Sequence, residues 1–242
     1  IREKGSLKAS IITDNTKAIL KQSNRDLVSH VSNPIITEYN KNSKFKIIIF
    51  DCGIKNNIIR KFLNYKDIYL KVVPYNYKIQ DNELFDGIFI SNGPGDPKDC
   101  HETIQTVKQL LKQSKPIFGT CLGNQILGLA AGCNTIKLKY GNRSVNQPVI
   151  DLCTKKCYMT SQNHGYAIDN ATLPECWSPY YINANDMSNE GIIHETKPFV
   201  GVQFHPEACG GPTDTSFLFD QFIDRVKSIE NHNKIDKSFS YY

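Results

Sequence analysis

A cysteine placed between two glycines is the feature of this sequence that most directly points to chemistry. In "FGTCLGNQ", residues 118–125, Cys121 follows a short apolar run and is flanked by Gly119 and Gly123. The spacing G-x-C-x-G is that of a nucleophile elbow, a tight strand-to-helix turn that needs small neighbours and leaves its nucleophile exposed. The unpaired N–H groups at the start of a helix would also favour the thiolate. On this motif alone, a buried thiol beside two turn glycines is an equally good interpretation.

A thiolate nucleophile needs a base, and His205 is the best placed of the six histidines. It follows the apolar run "FVGVQF" and precedes Pro206 and Glu207. In an extended segment, residues i and i+2 share a face, so Glu207 would hold the imidazole and stabilise the imidazolium. By itself, His-Pro-Glu more often marks only the end of a strand. Its combination with the elbow predicts a triad of Cys121, His205 and Glu207.

Two polar loops at predicted strand ends complete the candidate site. "SNGPGDP", residues 91–97, sets two glycines around a proline, which lets a backbone N–H approach a developing oxyanion. "SQNHG", residues 161–165, is rich in hydrogen-bonding groups and contains His164, a rival for the role of base. Each loop alone is more typical of an ordinary turn, so both assignments depend on the cysteine and histidine motifs.

The composition limits the classes of function that the chain can have. Its 242 residues carry a net charge of +5 that is scattered over predicted helices and loops, so we expect no nucleic-acid partner. No apolar run approaches the roughly 18 residues of a membrane span, and no signal peptide opens the chain, so we expect no membrane partner. The eight cysteines are dispersed and lack zinc-site spacing. We therefore expect free thiols, no metal site and a cytoplasmic protein.

The pattern of apolar residues predicts an α/β fold, with an open, mostly parallel sheet flanked by helices. The β-branched run "KFKIIIFDCG", residues 44–53, is typical of a strand buried on both faces, and "IKNNIIRKFLNY" follows it with helical spacing. Strands and helices then alternate up to Cys133, after which short β-rich pieces form a C-terminal extension. A last amphipathic helix is predicted over residues 214–229. Ligands of such sheets bind at the carboxyl ends of the strands, where Cys121 lies.

Both ends of the chain differ from this pattern. Residues 1–43 are polar and irregular, with one weakly helical stretch at 14–23, and we expect a lead-in left from an upstream domain. Residues 44–230 are expected to form the main domain, and residues 231–242 a polar linker. Because the first residue is Ile and not Met, we expect the chain to be a piece of a longer polypeptide.

Three of these motifs together resemble those of the class I, triad-type glutamine amidotransferases. "SNGPGDP", "GTCLGNQ" and "GVQFHPE" occur in the order and at the separations of that family. Within it, "DCGIKNNIIR", "SQNHGYAID" and "GGPTDTSFLFDQF" resemble the glutaminase part of carbamoyl-phosphate synthetase, particularly the eukaryotic, pyrimidine-pathway type. The likeness runs from about residue 24 to about residue 226. It implies that 44–230 is a glutamine amidotransferase domain, and "IREKGS" resembles the exit from that enzyme's upstream small-subunit domain.

The resemblance implies a role for each matching position. Cys121 matches the nucleophile that attacks the side-chain amide of glutamine, His205 the base and acid, and Glu207 the residue that orients it. The backbone N–H groups of Gly95 and Leu122 match the oxyanion donors of the substrate pocket. The other matching positions hold the α-amino and carboxylate end of the substrate or shape its pocket, and they are Gly93, Gln125, Asn163, Gly165 and Tyr166.

One position next to the nucleophile departs from the pattern of the subfamily. It is usually His, and here it is Asn124. Because this residue adjoins Cys121 without belonging to the triad, we expect altered tuning of the activity instead of its loss.

The resemblance also implies that the chain supplies ammonia to a partner. L-Glutamine would be hydrolysed through a thioester on Cys121, and the ammonia would pass to a carbamoyl-phosphate synthetase domain or subunit that uses ATP and bicarbonate. The chain has no Gly-rich phosphate loop, so we expect no cofactor in this domain. Three alternatives stay open: a glutaminase of the anthranilate or GMP synthase type, a non-catalytic regulatory module of the same fold, and a cysteine hydrolase on a similar sheet.

Overall fold

The computed structural model describes residues 3–5 and 26–238, in which a single sheet carries helices on both faces. The α-helices of these ranges are α1 Leu27–Val31, α2 Asn56–Leu63, α3 His101–Leu110, α4 Leu122–Ala131 and α5 Phe217–Ser238. The strands are β1 Thr37–Tyr39, β2 Phe45–Asp51, β3 Ile68–Pro74, β4 Gly87–Ile90, β5 Ile117–Thr120, β6 Thr135–Asp151, β7 Cys157–Ile168, β8 Trp177–Asn183, β9 Asn189–His194 and β10 Phe199–Val202. The weakly helical stretch predicted at 14–23 lies outside the described residues.

The sheet has ten strands in the order β1-β3-β2-β4-β5-β10-β9-β8-β6-β7. The strands from β3 to β10 pair in parallel, as the alternation of strands and helices predicts. The pairs from β10 onward to β7, and the pair of β1 with β3, are antiparallel. The predicted open α/β fold is confirmed, and its β-rich extension continues the same sheet. Short connections without a crossover helix permit antiparallel neighbours there, so the sheet as a whole is mixed.

The central strand β2 shows why helices cover both faces of the sheet. Ile47 and Ile49 pack into one apolar cluster with Phe62 of α2 and residues of α5. Ile48 and Phe50 belong to a second cluster, with residues of α3 and α4. Since alternate side chains of a strand face opposite sides of its sheet, a strand between two helical layers requires a continuous apolar run.

Two regions differ from the expectations drawn from the sequence. Within the expected lead-in, residues 27–31 form α1, and residues 37–39 form β1, which extends the sheet by pairing with β3. With three residues, β1 is too short to show an alternating pattern. At the other end, α5 continues to Ser238, through most of the linker expected at 231–242. No Gly or Pro follows Pro212 to end this helix.

The parallel centre of the sheet brings the predicted motifs to one edge. The carboxyl ends of β2, β4, β5 and β10 are neighbours because these strands are adjacent and point the same way. The loop at 91–97 follows β4, Cys121 follows β5, and His205 lies shortly after β10. Three segments that are distant in sequence therefore meet at the edge where α/β sheets bind ligands.

The aromatic cluster between α2, the sheet and α5 is expected to dominate stability. Phe62 is fully buried, and its ring centroid lies 5.1 Å from that of Phe89 and 5.3 Å from that of Phe219. Phe62→Ala should lower the free energy of unfolding by about 3–5 kcal/mol, because it removes buried apolar surface and leaves a cavity. Leu84→Ala is the control, since Leu84 is 81% exposed, and it should change the free energy of unfolding by less than about 0.5 kcal/mol. Urea unfolding measures the free energy of unfolding of both variants, and equal effects would contradict this description of the core.

Candidate active site

The turn between β5 and α4 holds Cys121 in a strained backbone conformation. Its φ of 55° and ψ of −107° lie outside the regions that residues other than glycine favour. The N–H of Cys121 donates to the carbonyl of Val202 at 2.8 Å. A Cβ on Gly119 would overlap the carbonyl oxygen of Gly123, and a Cβ on Gly123 would overlap that of Ile90. The G-x-C-x-G spacing thus reflects close backbone packing around a cysteine at a helix N-terminus.

His205 meets Cys121 because β5 and β10 are parallel neighbours. Thr120 at the end of β5 pairs with Val202 at the end of β10, so the residues that follow leave the sheet side by side. Interaction with Cys121 raises the pKa of the His205 imidazole, and Nδ1 of His205 lies 2.7 Å from Oε1 of Glu207. The three predicted side chains therefore form a continuous line.

The charges of its neighbours set the protonation of His205. Burial by itself would lower the pKa of this imidazole, but its interactions with Cys121 and with the Glu207 carboxylate outweigh burial and raise the pKa to about 10. The ring is therefore a cation at neutral pH, and it lies between Cys121 and the Glu207 carboxylate. Because His205 is 8% exposed and Glu207 is 1% exposed, water screens these charges little.

Lys55 extends this charged line, and the sequence analysis did not assign it a role. Its Nζ lies 3.0 Å from Oε1 of Glu207 and donates to the carbonyl of Ala208 at 3.1 Å. Burial would raise the pKa of Glu207, but His205 and Lys55 outweigh burial and lower it. The row of contacts therefore runs from Cys121 through His205 and Glu207 to the Lys55 ammonium. Lys55 belongs to "DCGIKNNIIR", one of the stretches that carry the resemblance, and this is the signal that points to it.

A cavity of about 1110 Å³ opens over the nucleophile, and Cys121 and His205 line it. Its walls come from the loop after β4, from α4, and from β6 and β7. The residues on these walls that the resemblance had assigned are Gly93, Gly95, Gln125, Asn163, Gly165 and Tyr166. Leu122, which the resemblance had also assigned, is buried and is not among the residues that line the cavity. The structure brings the other six positions together around one cavity.

The resemblance assigns two backbone N–H groups to the oxyanion, those of Gly95 and Leu122. Gly95 has a φ of 95°, a left-handed conformation that favours glycine, and it lines the cavity. Leu122 is the first residue of α4, where the N–H groups of a helix lack an intrahelical acceptor. Among residues 26–238, neither N–H donates to a backbone carbonyl. Both donors are therefore available to an oxyanion.

Gln125 and His164 fix β7, the strand that forms one wall of the cavity. Nε2 of Gln125 donates to the carbonyl of Tyr166 at 2.8 Å. Nδ1 of His164 donates to the same carbonyl at 2.9 Å, and its Nε2 lies 2.9 Å from Oε1 of Gln162. Burial lowers the pKa of His164 to about 4. Since both of its ring nitrogens are engaged, the geometry favours His205 over His164 as the base.

Asn124, the position that departs from the subfamily, is buried behind the elbow and is not among the residues that line the cavity. It lies against Gly201 of β10, where a Cβ would overlap its Oδ1. Neither amide atom of Asn124 has a hydrogen-bond partner in the described part of the chain. The predicted tuning would therefore act through the packing of α4 on β10, and it stays a prediction.

The described residues were also searched for other kinds of site. Within 3–5 and 26–238, no group of three or more His, Cys, Asp or Glu side chains is arranged to hold a metal ion. No helix in the same ranges has the length and apolarity that crossing a membrane requires. All eight cysteines are free thiols, and the buried ones are Cys52, Cys100, Cys121 and Cys133.

Several solved structures share the fold of this chain. A putative GMP synthase component from Thermoplasma acidophilum matches with a TM-score of 0.69 and 22% identity, covering 78% of this chain and 98% of that one. A glutamine amidotransferase from Thermotoga maritima matches with a TM-score of 0.56 and 16% identity, covering 77% of this chain and 85% of that one. At these identities the likeness establishes the fold alone.

Curated relatives are more similar in sequence. Multifunctional protein pyr1-3 of Dictyostelium discoideum is 49% identical, over 96% of this chain and 11% of that protein. The carbamoyl phosphate synthase arginine-specific small chain of Neurospora crassa is 45% identical, over 97% of this chain and 54% of that protein. The protein of the same name from Emericella nidulans is 52% identical, over 76% of this chain and 41% of that protein. The chain therefore spans about half or less of the length of these relatives.

The family of the chain follows from a match over most of its length. The family described as Glutamine amidotransferase class-I matches residues 48–225, a range that includes Cys121, His205 and Glu207. The alternative of a cysteine hydrolase from outside this family is therefore wrong. With the elbow, the triad geometry and the fold all in agreement with this match, the chain belongs to the class I glutamine amidotransferases.

Proposed function

We propose that the chain hydrolyses the side-chain amide of L-glutamine to glutamate and ammonia, through a thioester on Cys121. The observation that carries this proposal is the buried line of Cys121, His205 and Glu207 at a cavity large enough for an amino acid. A thiolate beside an imidazolium supplies a nucleophile and an acid in one contact, which amide cleavage requires. Membership of the amidotransferase family supports the same reaction.

The first half of the reaction uses His205 as an acid. The Cys121 thiolate attacks the amide carbon, and the N–H groups of Gly95 and Leu122 bind the resulting oxyanion. The His205 imidazolium gives its proton to the departing nitrogen, so the C–N bond breaks and ammonia leaves. A γ-glutamyl thioester remains on Cys121, and His205 is left neutral.

The second half uses the same imidazole as a base, and the loss of charge on Cys121 makes this possible. Once Cys121 is acylated, the thiolate that raised the pKa of His205 is gone, and burial favours the neutral ring. Neutral His205 takes a proton from water, and the hydroxide attacks the thioester carbon. The C–S bond then breaks, which releases glutamate and restores the thiolate and the imidazolium. Glu207 holds the ring through both halves.

The walls of the cavity are assigned to the amino-acid end of glutamine. Gly93 and Gln125 lie near the elbow, whereas Asn163, Gly165 and Tyr166 belong to β7. Backbone and amide groups donate to a carboxylate and accept from an ammonium, so these positions suit the α-carboxylate and α-amino groups.

We further propose that the ammonia passes to a carbamoyl-phosphate synthetase domain or subunit, which uses ATP. The similarity to the Dictyostelium multifunctional protein and to the fungal small chains supports this partner. Pyrimidine biosynthesis is the proposed pathway, and the arginine-specific names of the fungal relatives favour arginine biosynthesis as a second candidate. A GMP synthase partner has support at the level of the fold only. The eight free thiols favour the cytoplasm as the compartment.

The proposed change of role predicts how His205 titrates. In Cys121→Ala, the pKa of His205 should fall well below its value of about 10, because burial then opposes the imidazolium and the thiolate no longer offsets it. NMR titration of protein labelled with 15N-histidine measures this pKa. His194, whose pKa is lowered by burial outside the triad, is the internal control and should not change. An unchanged pKa of His205 would show that Cys121 is not its charge partner.

Removal of the nucleophile tests the reaction itself. Cys121→Ala should reduce glutamate release from glutamine by at least about 1000-fold, because no other group in the triad can form the thioester. Its thermal unfolding should stay cooperative, which separates lost chemistry from lost structure. Cys153→Ala is the control, since Cys153 is an exposed thiol outside the cavity, and it should keep full activity. Comparable turnover by Cys121→Ala would contradict the elbow assignment.

The proposed partner should change the rate of glutamine hydrolysis. Release of ammonia without an acceptor wastes glutamine, so we expect weak activity from this chain alone. The carbamoyl-phosphate synthetase of the same organism should raise it by at least about tenfold, a coupling of about 1.4 kcal/mol. The measurement is glutamate release at saturating glutamine, with and without the synthetase, ATP and bicarbonate. Identical rates would show that this domain assembles its site unaided.

A further inference from the structure

A short segment of β6 is set apart from the rest of that strand. Register shifts interrupt the pairing of β6 with β7 on both sides of residues 142–144. Within this segment, Arg143 lies directly opposite Asn163, one of the residues on the cavity wall. Irregularities of this kind redirect side chains and are frequent beside active sites.

The guanidinium of Arg143 forms part of the cavity wall. Its Nη1 donates to the carbonyl of Tyr140 at 2.6 Å, which anchors the side chain but occupies one of its five N–H groups. A Cβ on Gly165 would lie 3.2 Å from Nη2 of Arg143, so the guanidinium covers the backbone of β7. No carboxylate between residues 26 and 228 forms an ion pair with Arg143. Its remaining donors are therefore available to a ligand.

Opposite charges lie on different walls of this cavity. Lys137 and Arg143 stand on β6, whereas Asp96 follows β4. Tyr166 is near both sides, because burial and Asp96 raise the pKa of its hydroxyl and Nζ of Lys137 lies 5.9 Å from the centroid of its ring. A glutamine whose side-chain amide reaches Cys121 carries its α-carboxylate and α-ammonium at the far end. The cavity offers a cation for the carboxylate and an anion for the ammonium.

We propose that Arg143 binds the α-carboxylate of L-glutamine, an inference that rests on the proposed glutamine hydrolysis. A guanidinium presents paired N–H groups that match the two oxygens of a carboxylate. Lys137 is less suited to this role because its ammonium is placed over the ring of Tyr166. Arg143 thereby makes the site select an amino acid over an amide that lacks the carboxylate.

Binding to Cys121→Ala protein tests this role separately from turnover. Calorimetry compares L-glutamine with its α-amide, which keeps the side chain and the ammonium but has no carboxylate. Adding Arg143→Gln should weaken glutamine binding by about tenfold or more and should leave α-amide binding unchanged or tighter, because a cation no longer faces a cationic ligand. Lys139→Gln is the matched control: Lys139 lies on the same strand, packs over Tyr140 and does not line the cavity. It should keep the preference for glutamine.

Turnover by the protein with Cys121 intact gives a second readout. Arg143→Gln should raise KM for glutamine by a similar factor while kcat stays within about twofold, since the contact is the same in the ground and transition states. The inference is overturned if the Arg143→Gln protein still prefers glutamine to its α-amide. It is also overturned if Lys137→Gln, and not Arg143→Gln, loses this preference. If the unmodified protein hydrolyses no glutamine but its binding depends on Arg143, the proposed reaction fails and the carboxylate site stands.

Discussion

The contact between Cys121 and His205 is the interaction on which the rest of the site depends. Cys121 and the Glu207 carboxylate raise the pKa of the His205 imidazole at a place where burial alone would lower it. The parallel pairing of β5 with β10 places Cys121 and His205 side by side, and the glycines at 119 and 123 permit the tight turn at Cys121. The centre of the sheet therefore holds this cysteine and this histidine in contact.

This contact belongs to a longer row of side chains. The row runs through Cys121, His205, Glu207 and Lys55, from the cavity to a lysine side chain that is 39% exposed. The buried carboxylate of Glu207 thus lies between two cations, His205 and Lys55. Because Cys121 is among the groups that raise the pKa of His205, a change at this thiol changes the protonation of the imidazole, which the proposed reaction uses first as an acid and then as a base.

Short-range signals were sufficient to propose Cys121 as a nucleophile with His205 and Glu207 as its partners, and insufficient for residues whose partners come from distant segments. The spacing around Cys121 and the i, i+2 relation of His205 and Glu207 are local properties, so the sequence states them directly. Lys55 and Arg143 carry no such signal, because a single cation in a polar segment is most often solvated and only folding shows what it faces. The edge strand β1 was missed because three residues cannot express a period.

The strand β7, which carries much of the substrate wall, is the edge strand of the sheet. It has β6 as its one neighbour in the sheet, and the pairing between them is irregular. The nucleophile, in contrast, follows a central strand buried between two helical layers. Local opening requires less free energy along an edge strand than in a packed centre. The proposed substrate wall is therefore expected to open at a lower free energy than the turn that holds Cys121, and amide hydrogen exchange would follow that division.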